Sequence, residues 1–476
     1  MNNLNFLVDV LKESPVFKTL EKNVKPGRTV CASGLQQLTN QISSMRCAAS
    51  RASRHFVLPP MKRGANLCND LSCMGLRAYV YPVRDFNFLD FQSRSHEYEH
   101  ARLKVLLKLL NHECDVAIAC VDAAAQLTVP KNVLEQSVIE FEEGRELSLE
   151  KATKALTLLG YERFDAVEGS GQFSLRGGIL DFFMPDSDYP VRCEFWGDEI
   201  TDLSYFDIET QRRFKKADKI TLSPSTEIVI EDRAALADKI EHKAKLLRSK
   251  NSAKAKEKLF SEAELIRSGA MIANADKFIN QIYDKPESLF DYLDRNTLVF
   301  ASEFTAIQER GKSMDFISNE TLMQGFEDGT LCRGFDRFAL TFNECTEFLQ
   351  SHGTIVLENF VHGSMPIKLS EIISFSTKQL SAWGGSYKQL KEDVDGLFTP
   401  ESKGVIFAGT ERAAKNLCDT FNADGINAVY SEGADKISKG ELLVMQGALS
   451  AGFEYPSQKF FAITYSQVSY RPEKSK

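Results

Sequence analysis

The sequence predicts a multidomain α/β protein, in which one α/β domain is split by a small inserted α+β domain and followed by a separate α/β domain. Strands and helices alternate both in the first 135 residues and after Gly404, which is typical of parallel sheets. Between them, residues 171–210 have the pattern of antiparallel β-structure, with a turn cluster at 185–190. A chain of 476 residues accommodates about three to four domains.

Composition sets the broad class of the protein. Hydrophobic residues make up 43% of the chain and the net charge is −8, which is ordinary for a globular protein and excludes a wholly basic surface. The ten cysteines are scattered without paired spacing, so we predict reduced thiols rather than disulfides or a zinc site. The amino terminus resembles an amphipathic helix, and no apolar run reaches the ~18 residues of a membrane span. We therefore expect a cytoplasmic protein without a membrane partner.

The first lobe contains the position where a nucleotide-binding loop would lie. The strand Arg28 to Ala32 is followed by Ser33-Gly34 and a predicted helix. A phosphate-binding loop requires GxxxxGK[ST], because backbone amides and a lysine must surround the phosphates, and this turn lacks the Gly-Lys pair. Another Gly-Lys-Ser, at residues 311–313, lacks the upstream glycine and is expected in a polar loop. No ATP site and no other cofactor is predicted.

A second motif points to metal chemistry. Residues 96–100 match HExxH, and on a helix His96 and His100 would share a face suited to zinc. A zinc hydrolase also needs a third ligand and an open coordination position, and no third-ligand motif follows. We interpret the segment as a solvated helix face and keep the zinc hydrolase as an alternative.

The inserted domain carries the candidate site. Val191, Cys193 and Phe195 alternate with Arg192, Glu194 and Trp196, so one face of the predicted strand is core and the other is polar. With Arg176 on a preceding strand, this face offers the residue types that most often anchor protein interfaces. In the alternative, Arg176 and Arg192 pair with local acids such as Glu194 and Asp198, and Trp196 caps the core. Gly177-Gly178 is expected at a bulge or a close backbone approach.

Several segments resemble a known family. FSLRGGILDFF, PVRCEFWGDEI and FDIETQR, at residues 173–212, are similar to the UvrB interaction domain, which the excision-repair helicase UvrB shares with the transcription-repair coupling factor (Mfd) family. Arg84 to Leu103, Asp284 to Phe300 and the segment from Gly404 onward resemble the amino-terminal region of the coupling factors. The order of these motifs favours the coupling-factor family over UvrB.

The resemblance implies a fold, a partner and site residues. It implies a degenerate RecA- or Rossmann-like helicase domain without its phosphate loop, and UvrA as the partner. Arg176, Arg192 and Trp196 align with two arginines and an aromatic residue, usually phenylalanine, that contact UvrA. RNA polymerase and double-stranded DNA would bind to parts of the longer protein that this chain lacks, so we expect it to be a piece of that protein.

The predicted domains are residues 1–135 and 221–366 as two lobes of the split domain, 136–220 as the UvrB interaction domain, and 367–476 as the additional α/β domain. The second lobe includes a charged, solvated helix pair within residues 232–269. The predicted function is a non-catalytic recruitment module that links removal of stalled RNA polymerase to nucleotide excision repair. A UvrB-like ATP-dependent DNA helicase is the alternative, which the absent phosphate loop opposes. The short distance from Phe91 to the next predicted helix also opposes it, because it leaves no room for a DNA-probing hairpin.

Overall fold

The computed structural model describes residues 10, 14–34, 55–59, 64–73, 75–84, 96–137, 139–248, 252–269, 275–359, 365, 367–380, 383–384, 386–433 and 436–466. The predicted helices at the amino terminus and after Gly34, and most of the segment from Arg84 to Phe91, lie outside these residues. No helix in the described ranges is both long enough and apolar enough to cross a membrane. The nine cysteines in these ranges are free thiols.

The first sheet is built from both sides of the inserted domain. Its seven strands are all parallel and lie in the order Glu371–Ser374, Thr29–Ser33, Gly353–Glu358, Leu298–Ser302, His55–Leu58, Val116–Ile118 and Ala78–Val80. These strands are short and apolar, and most are fully buried, as expected where helices cover both faces. The sheet confirms the predicted split α/β architecture. Strand Glu371–Ser374 joins it, although we had expected residues from 367 onward in the last domain.

Helices and short 3-10 turns surround this sheet. The helices are Pro15–Asn23, Gly64–Cys73, Glu97–Leu110, Val121–Ala125, Lys131–Gln136, Ile279–Ile282, Phe304–Asp328 and Phe342–Ser351, with 3-10 helices Ala275–Phe278 and Leu289–Tyr292. A two-stranded ladder pairs Leu127–Thr128 with Glu287–Ser288. Helices Arg233–Leu246 and Ser252–Ser268 pack together around a small apolar cluster, which is the expected charged helix pair.

One local prediction is wrong. Gly311-Lys312-Ser313 lies inside helix Phe304–Asp328 rather than in a polar loop. Gly311 is buried against the ring of Phe342, and a side chain at residue 311 would collide with that ring. Close helix packing therefore explains this glycine, and the sequence pattern alone suggested a turn.

The inserted domain has its own sheet and core. The six strands lie in the order Arg213–Lys216, Glu199–Phe206, Val191–Trp196, Ile179–Phe182, Gln172–Arg176 and Glu162–Arg163. Helix Leu149–Leu158 begins at Ser148, whose hydroxyl accepts a hydrogen bond from the Lys151 N–H, as the partial capping signal predicts. Strands Ile139–Glu142 and Lys219–Leu222 pair with each other and bring the two ends of the insertion together.

The last sheet mixes parallel and antiparallel strands: Lys378–Leu380, Trp383–Gly384, Lys403–Ala408, Ala428–Ser431, Glu441–Met445, Gly452–Tyr455 and Phe460–Ser466. Helices Tyr387–Leu397 and Glu411–Ala423 and the 3-10 helix Pro456–Gln458 accompany it. Phe407 and Phe453 share one apolar cluster with Val30 and Phe300 of the first sheet. The two α/β units are therefore packed through a common core.

The inserted domain returns to the first lobe at a buried polar junction. The carboxylate of Glu227 is fully buried and accepts hydrogen bonds from Nε of Arg102 at 2.5 Å and the hydroxyl of Thr128 at 2.8 Å. Arg102 is also fully buried, stacks on the ring of Tyr81 and donates to Gln126. A buried ion pair needs such additional hydrogen bonds to offset the loss of water.

A second carboxylate holds the same segment. Oε1 of Glu99 accepts hydrogen bonds from the Thr226 hydroxyl and the Glu227 backbone N–H, both at 2.8 Å. Burial alone would raise the pKa of Glu99. The hydrogen bond from His96, the positive charge of Arg84 and the bonds from Glu227 and Thr226 outweigh burial and lower this pKa to about 2.

We expect Glu227→Ala to lower the free energy of unfolding by about 3–5 kcal/mol, because it leaves the Arg102 guanidinium buried without its counter-charge. Denaturant unfolding of the whole chain, followed by circular dichroism, measures this loss. The matched control is Glu150→Ala, which breaks an exposed pair with Lys154 and should leave the unfolding midpoint nearly unchanged. Equal losses in the two variants would contradict the role of the junction.

The pKa of Glu99 predicts an acid-sensitive contribution to stability. Its folded-state pKa of about 2 lies below the ordinary value of 4.5, so its contribution is complete above about pH 4.5 and is lost as the pH falls toward 2. We expect Glu99→Gln to be less stable than the wild type at pH 6, and the difference should shrink as the pH is lowered to 3. Urea midpoints at each pH test this, and a difference independent of pH would refute it.

Candidate functional site

The polar face of the inserted sheet carries the predicted site residues. In the antiparallel register, Asp181 lies directly opposite Ser174 on one neighbouring strand and Arg192 on the other. Arg176 lies two residues beyond Ser174 on the same strand, so its side chain belongs to the same face. The other face, with residues such as Leu180 and Cys193, packs into the core of the inserted domain.

One buried carboxylate joins the two arginines. The Asp181 side chain is 1% exposed, and its Oδ2 accepts hydrogen bonds from Nη2 of Arg176 at 2.7 Å and Nη2 of Arg192 at 2.8 Å. Its Oδ1 accepts from Nε of Arg192 at 2.8 Å. The arginines therefore pair with a local acid, as the alternative interpretation held, but that acid is Asp181 and not Glu194 or Asp198.

The two arginines differ in how much of each guanidinium remains accessible to another molecule. Arg192 is only 13% exposed; it also donates to the backbone oxygen and Oε1 of Gln211 and stacks on the ring of Phe206 at 4.4 Å. Arg176 is 50% exposed, and its hydrogen bond to Asp181 uses one of its five N–H donors. Arg176 can thus reach a second molecule, whereas the guanidinium of Arg192 is largely engaged within the sheet.

Trp196 is 82% exposed at the end of its strand, beside the turn at Gly197. It does not cap the core, so that part of the alternative interpretation is wrong. An exposed indole offers a large, rigid contact area at low cost in conformational entropy. The face thus combines an accessible guanidinium with an accessible aromatic ring.

Sequence reasoning missed Arg213 as part of this face. Its guanidinium bonds to Asp202 at 2.9 Å and to Glu194, which crosslinks the edge strand to the two strands beside it. Arg213 lies at the start of strand Arg213–Lys216, which is exposed along its length. The acids at residues 194 and 202, followed by the basic run at 212–216, are the sequence signal that could indicate an ion pair between these strands.

The glycine pair behaves as predicted. Gly177 has φ +62° in the turn between two strands, a conformation that L side chains rarely adopt. The carbonyl of Gly178 accepts the Phe195 N–H at 2.8 Å, and a Cβ at residue 178 would lie 2.7 Å from the Phe195 oxygen. This close approach fixes the strand that carries Arg176 relative to the strand that carries Trp196.

The HExxH segment lies at the edge of a domain contact: His96, Glu97 and Tyr98 are exposed, as predicted, whereas Glu99 and His100 are partly buried. The rings of His96 and His100 stack with centroids 5.9 Å apart, and Nδ1 of His96 lies 3.0 Å from Glu99. His100 packs against Gly171 of the inserted domain, and burial lowers its pKa. A cavity of about 410 Å³ between the two domains is lined by residues that include Glu162. Within the described ranges, no group of three or more His, Cys, Asp or Glu residues is placed to hold a metal ion.

The strand end that would precede a nucleotide-binding loop has a buried acid beside it. Gly34 donates its N–H to the backbone oxygen of Glu358 at 3.0 Å. The fully buried carboxylate of Glu358 accepts the N–H of Phe304, at the start of a long helix, at 2.8 Å. A helix amino terminus favours an anion, and here a side chain of the protein supplies it.

Comparison with known proteins identifies relatives of this chain. Residues 139–228 match the UvrB interaction domain family. The transcription-repair-coupling factor of Bacillus subtilis is 25% identical over 486 residues, covering 98% of this chain and 41% of the relative. Those of Staphylococcus epidermidis and Staphylococcus aureus strain MRSA252 are 25% and 22% identical, covering 82% of this chain and 33% and 34% of the relatives.

This chain therefore spans about two fifths or less of the length of these curated relatives. The match at residues 139–228 coincides with the separately folded insertion and includes Arg176, Arg192 and Trp196. The domain match and the coverage by its relatives together support the resemblance seen in the sequence motifs. The chain contains a UvrB interaction domain and is homologous to the amino-terminal region of the transcription-repair-coupling factors.

Proposed function

We propose that this chain is a recruitment module that binds UvrA through the polar face of its UvrB interaction domain. The observation that carries the proposal is the presence of an accessible guanidinium, Arg176, and an 82% exposed indole, Trp196, on one face of that domain. Arginine and tryptophan are enriched among the residues that dominate interface energies. A carboxylate of UvrA would pair with Arg176, and an apolar side chain would cover Trp196.

Arg192 has a different role in this proposal. Its guanidinium is shared among Asp181, Gln211 and the ring of Phe206, so it contributes mainly by holding the face together. Its 13% exposure allows an edge contact with UvrA. We therefore expect its removal to affect both the stability of the domain and the binding of UvrA.

We propose that this module serves transcription-coupled repair in a longer protein. Its relatives are transcription-repair-coupling factors that extend well beyond the matched region. In such a protein, other parts would bind RNA polymerase and double-stranded DNA and hydrolyse ATP, and this module would bring UvrA to the site. We propose that residues 1–135 and 221–366 form the split α/β domain, residues 136–220 the UvrB interaction domain and residues 367–476 the last α/β domain. Strand Glu371–Ser374 of the last segment adds to the sheet of the split domain.

We propose further that the first lobe does not turn over ATP. The turn after Ser33 lacks a Gly-Lys pair. The buried carboxylate of Glu358 beside it would repel a polyphosphate, because two negative charges in a poorly hydrated site interact unfavourably. The UvrB-like helicase alternative predicts DNA-stimulated ATP hydrolysis, which a phosphate-release assay on the purified chain measures. Turnover above the buffer rate would favour that alternative.

The first prediction from the recruitment proposal concerns UvrA affinity. We expect Arg176→Ala and Trp196→Ala each to weaken binding of purified UvrA by about 2 kcal/mol or more, because each removes an interface anchor. Isothermal titration calorimetry on the wild type and both variants measures the loss, with circular dichroism to confirm folding.

The matched control is Arg163→Ala. Arg163 is an exposed arginine on the edge strand of the same sheet. Its register partner is Phe173, which packs in the core, so Arg163 does not belong to the polar face that carries Arg176. It should retain wild-type affinity. Wild-type affinity in Arg176→Ala and Trp196→Ala would move the binding surface elsewhere on the chain, and no binding by the wild type would refute the recruitment function.

A further inference from the structure

The most central side chain of the candidate face is an acid. The Asp181 carboxylate is almost completely buried, lies between two strands that each present a partner, and accepts three hydrogen bonds from two arginines. Arg192 binds it through two nitrogens, the bidentate geometry that fixes a guanidinium plane most firmly. Arg176 binds it through one nitrogen and leaves the rest of its guanidinium pointing away from that bond.

We propose that Asp181 is the positioning residue of this binding face: it orients Arg176 for a carboxylate of the partner, and the orientation matters more than the positive charge itself. This inference rests on the proposed function of the face. Asp181 itself does not contact the partner and acts only through Arg176. The kind of partner that fits is an acidic segment with an apolar side chain beside its carboxylate, for Arg176 and Trp196 respectively.

Charge and geometry predict opposite effects when Asp181 is neutralised. A buried negative charge in the middle of the face weakens its attraction for an acidic partner, so removing it would strengthen binding if charge alone mattered. If orientation matters, removing it frees Arg176 to sample many rotamers, which must be restricted again on binding. Binding would then weaken although the face has become more positive.

The surrounding contacts give Asp181 a fixed position in the sheet, from which it can orient Arg176. Arg192 is held in place by Gln211 and by the ring of Phe206, independently of Asp181. The register places Arg192 directly opposite Asp181, so the carboxylate itself has a fixed position. Arg176, whose other contacts are with solvent over half of its surface, depends on Asp181 for its direction.

The test is the kinetics of UvrA binding to Asp181→Asn, measured by biolayer interferometry on the full chain. We expect the dissociation constant to rise at least about tenfold, entirely through faster dissociation, with an association rate equal to or above that of the wild type. A merely structural defect would instead reduce the fraction of active protein and leave the dissociation rate of the remaining complexes unchanged.

Two further variants sharpen the test. Asp198→Asn removes an exposed acid from the neighbouring turn, and it should leave the dissociation rate unchanged. Asp181→Glu keeps the charge and moves the carboxylate by one methylene, so its affinity should lie between those of the wild type and Asp181→Asn. The Asp181→Glu variant also tests the positioning role if Asp181→Asn does not fold. Wild-type affinity in a folded Asp181→Glu would overturn the inference.

A double variant separates this inference from the recruitment proposal. If Asp181 acts through Arg176, then Arg176→Ala combined with Asp181→Asn should weaken binding no more than Arg176→Ala alone. Additive losses, or tighter binding of folded Asp181→Asn, would overturn the positioning role while UvrA binding stands. Absence of binding by the wild type would overturn the recruitment proposal, and this inference with it.

Discussion

The buried carboxylate of Glu227 is the contact on which the arrangement of the first lobe and the inserted domain depends. Glu227 lies where the chain leaves the insertion. It pairs with Arg102 of helix Glu97–Leu110 and accepts a hydrogen bond from Thr128, both in the first lobe. Two fully buried charges are tolerated because hydrogen bonds satisfy both partners. Glu99, in the same helix as Arg102, accepts a hydrogen bond from Thr226, the residue before Glu227. The insertion is thus held by directional polar bonds at the point where it rejoins the α/β domain.

The same principle recurs at smaller scale on the candidate face. Asp181 binds two arginines, and Glu194 and Asp202 bind a third, so most of the positive charge on this face is already paired within the sheet. What remains for another molecule is the outer part of Arg176 and the indole of Trp196. In the proposed function, the face would therefore recognise its partner through a few fixed groups rather than through a broad electrostatic field.

The sequence predicted the architecture and the residues of the face, but not their pairing. Strand alternation placed Arg192 and Trp196 on the polar side, because period two depends only on local order. The partner of the arginines is Asp181, whose position inside the apolar run ILDFF gives no sign of an ion pair. Cross-strand register, which depends on turns and distant residues, selects that pairing. The packing of His100 against Gly171 and of Gly311 against Phe342 arises from tertiary structure in the same way.

The two attachments of the first sheet differ in their chemistry. The insertion is held by hydrogen bonds to the carboxylates of Glu99 and Glu227, whereas the last sheet shares an apolar cluster that includes Phe300 and Phe407. Apolar contacts weaken on cooling and resist changes of pH. The contacts of Glu99, whose pKa lies well below its usual value, are lost in acid. Acid and cold should therefore disrupt different contacts first. Acid should weaken the contact between the insertion and the first lobe while the two α/β sheets stay packed together, and cold should first weaken the packing between those two sheets.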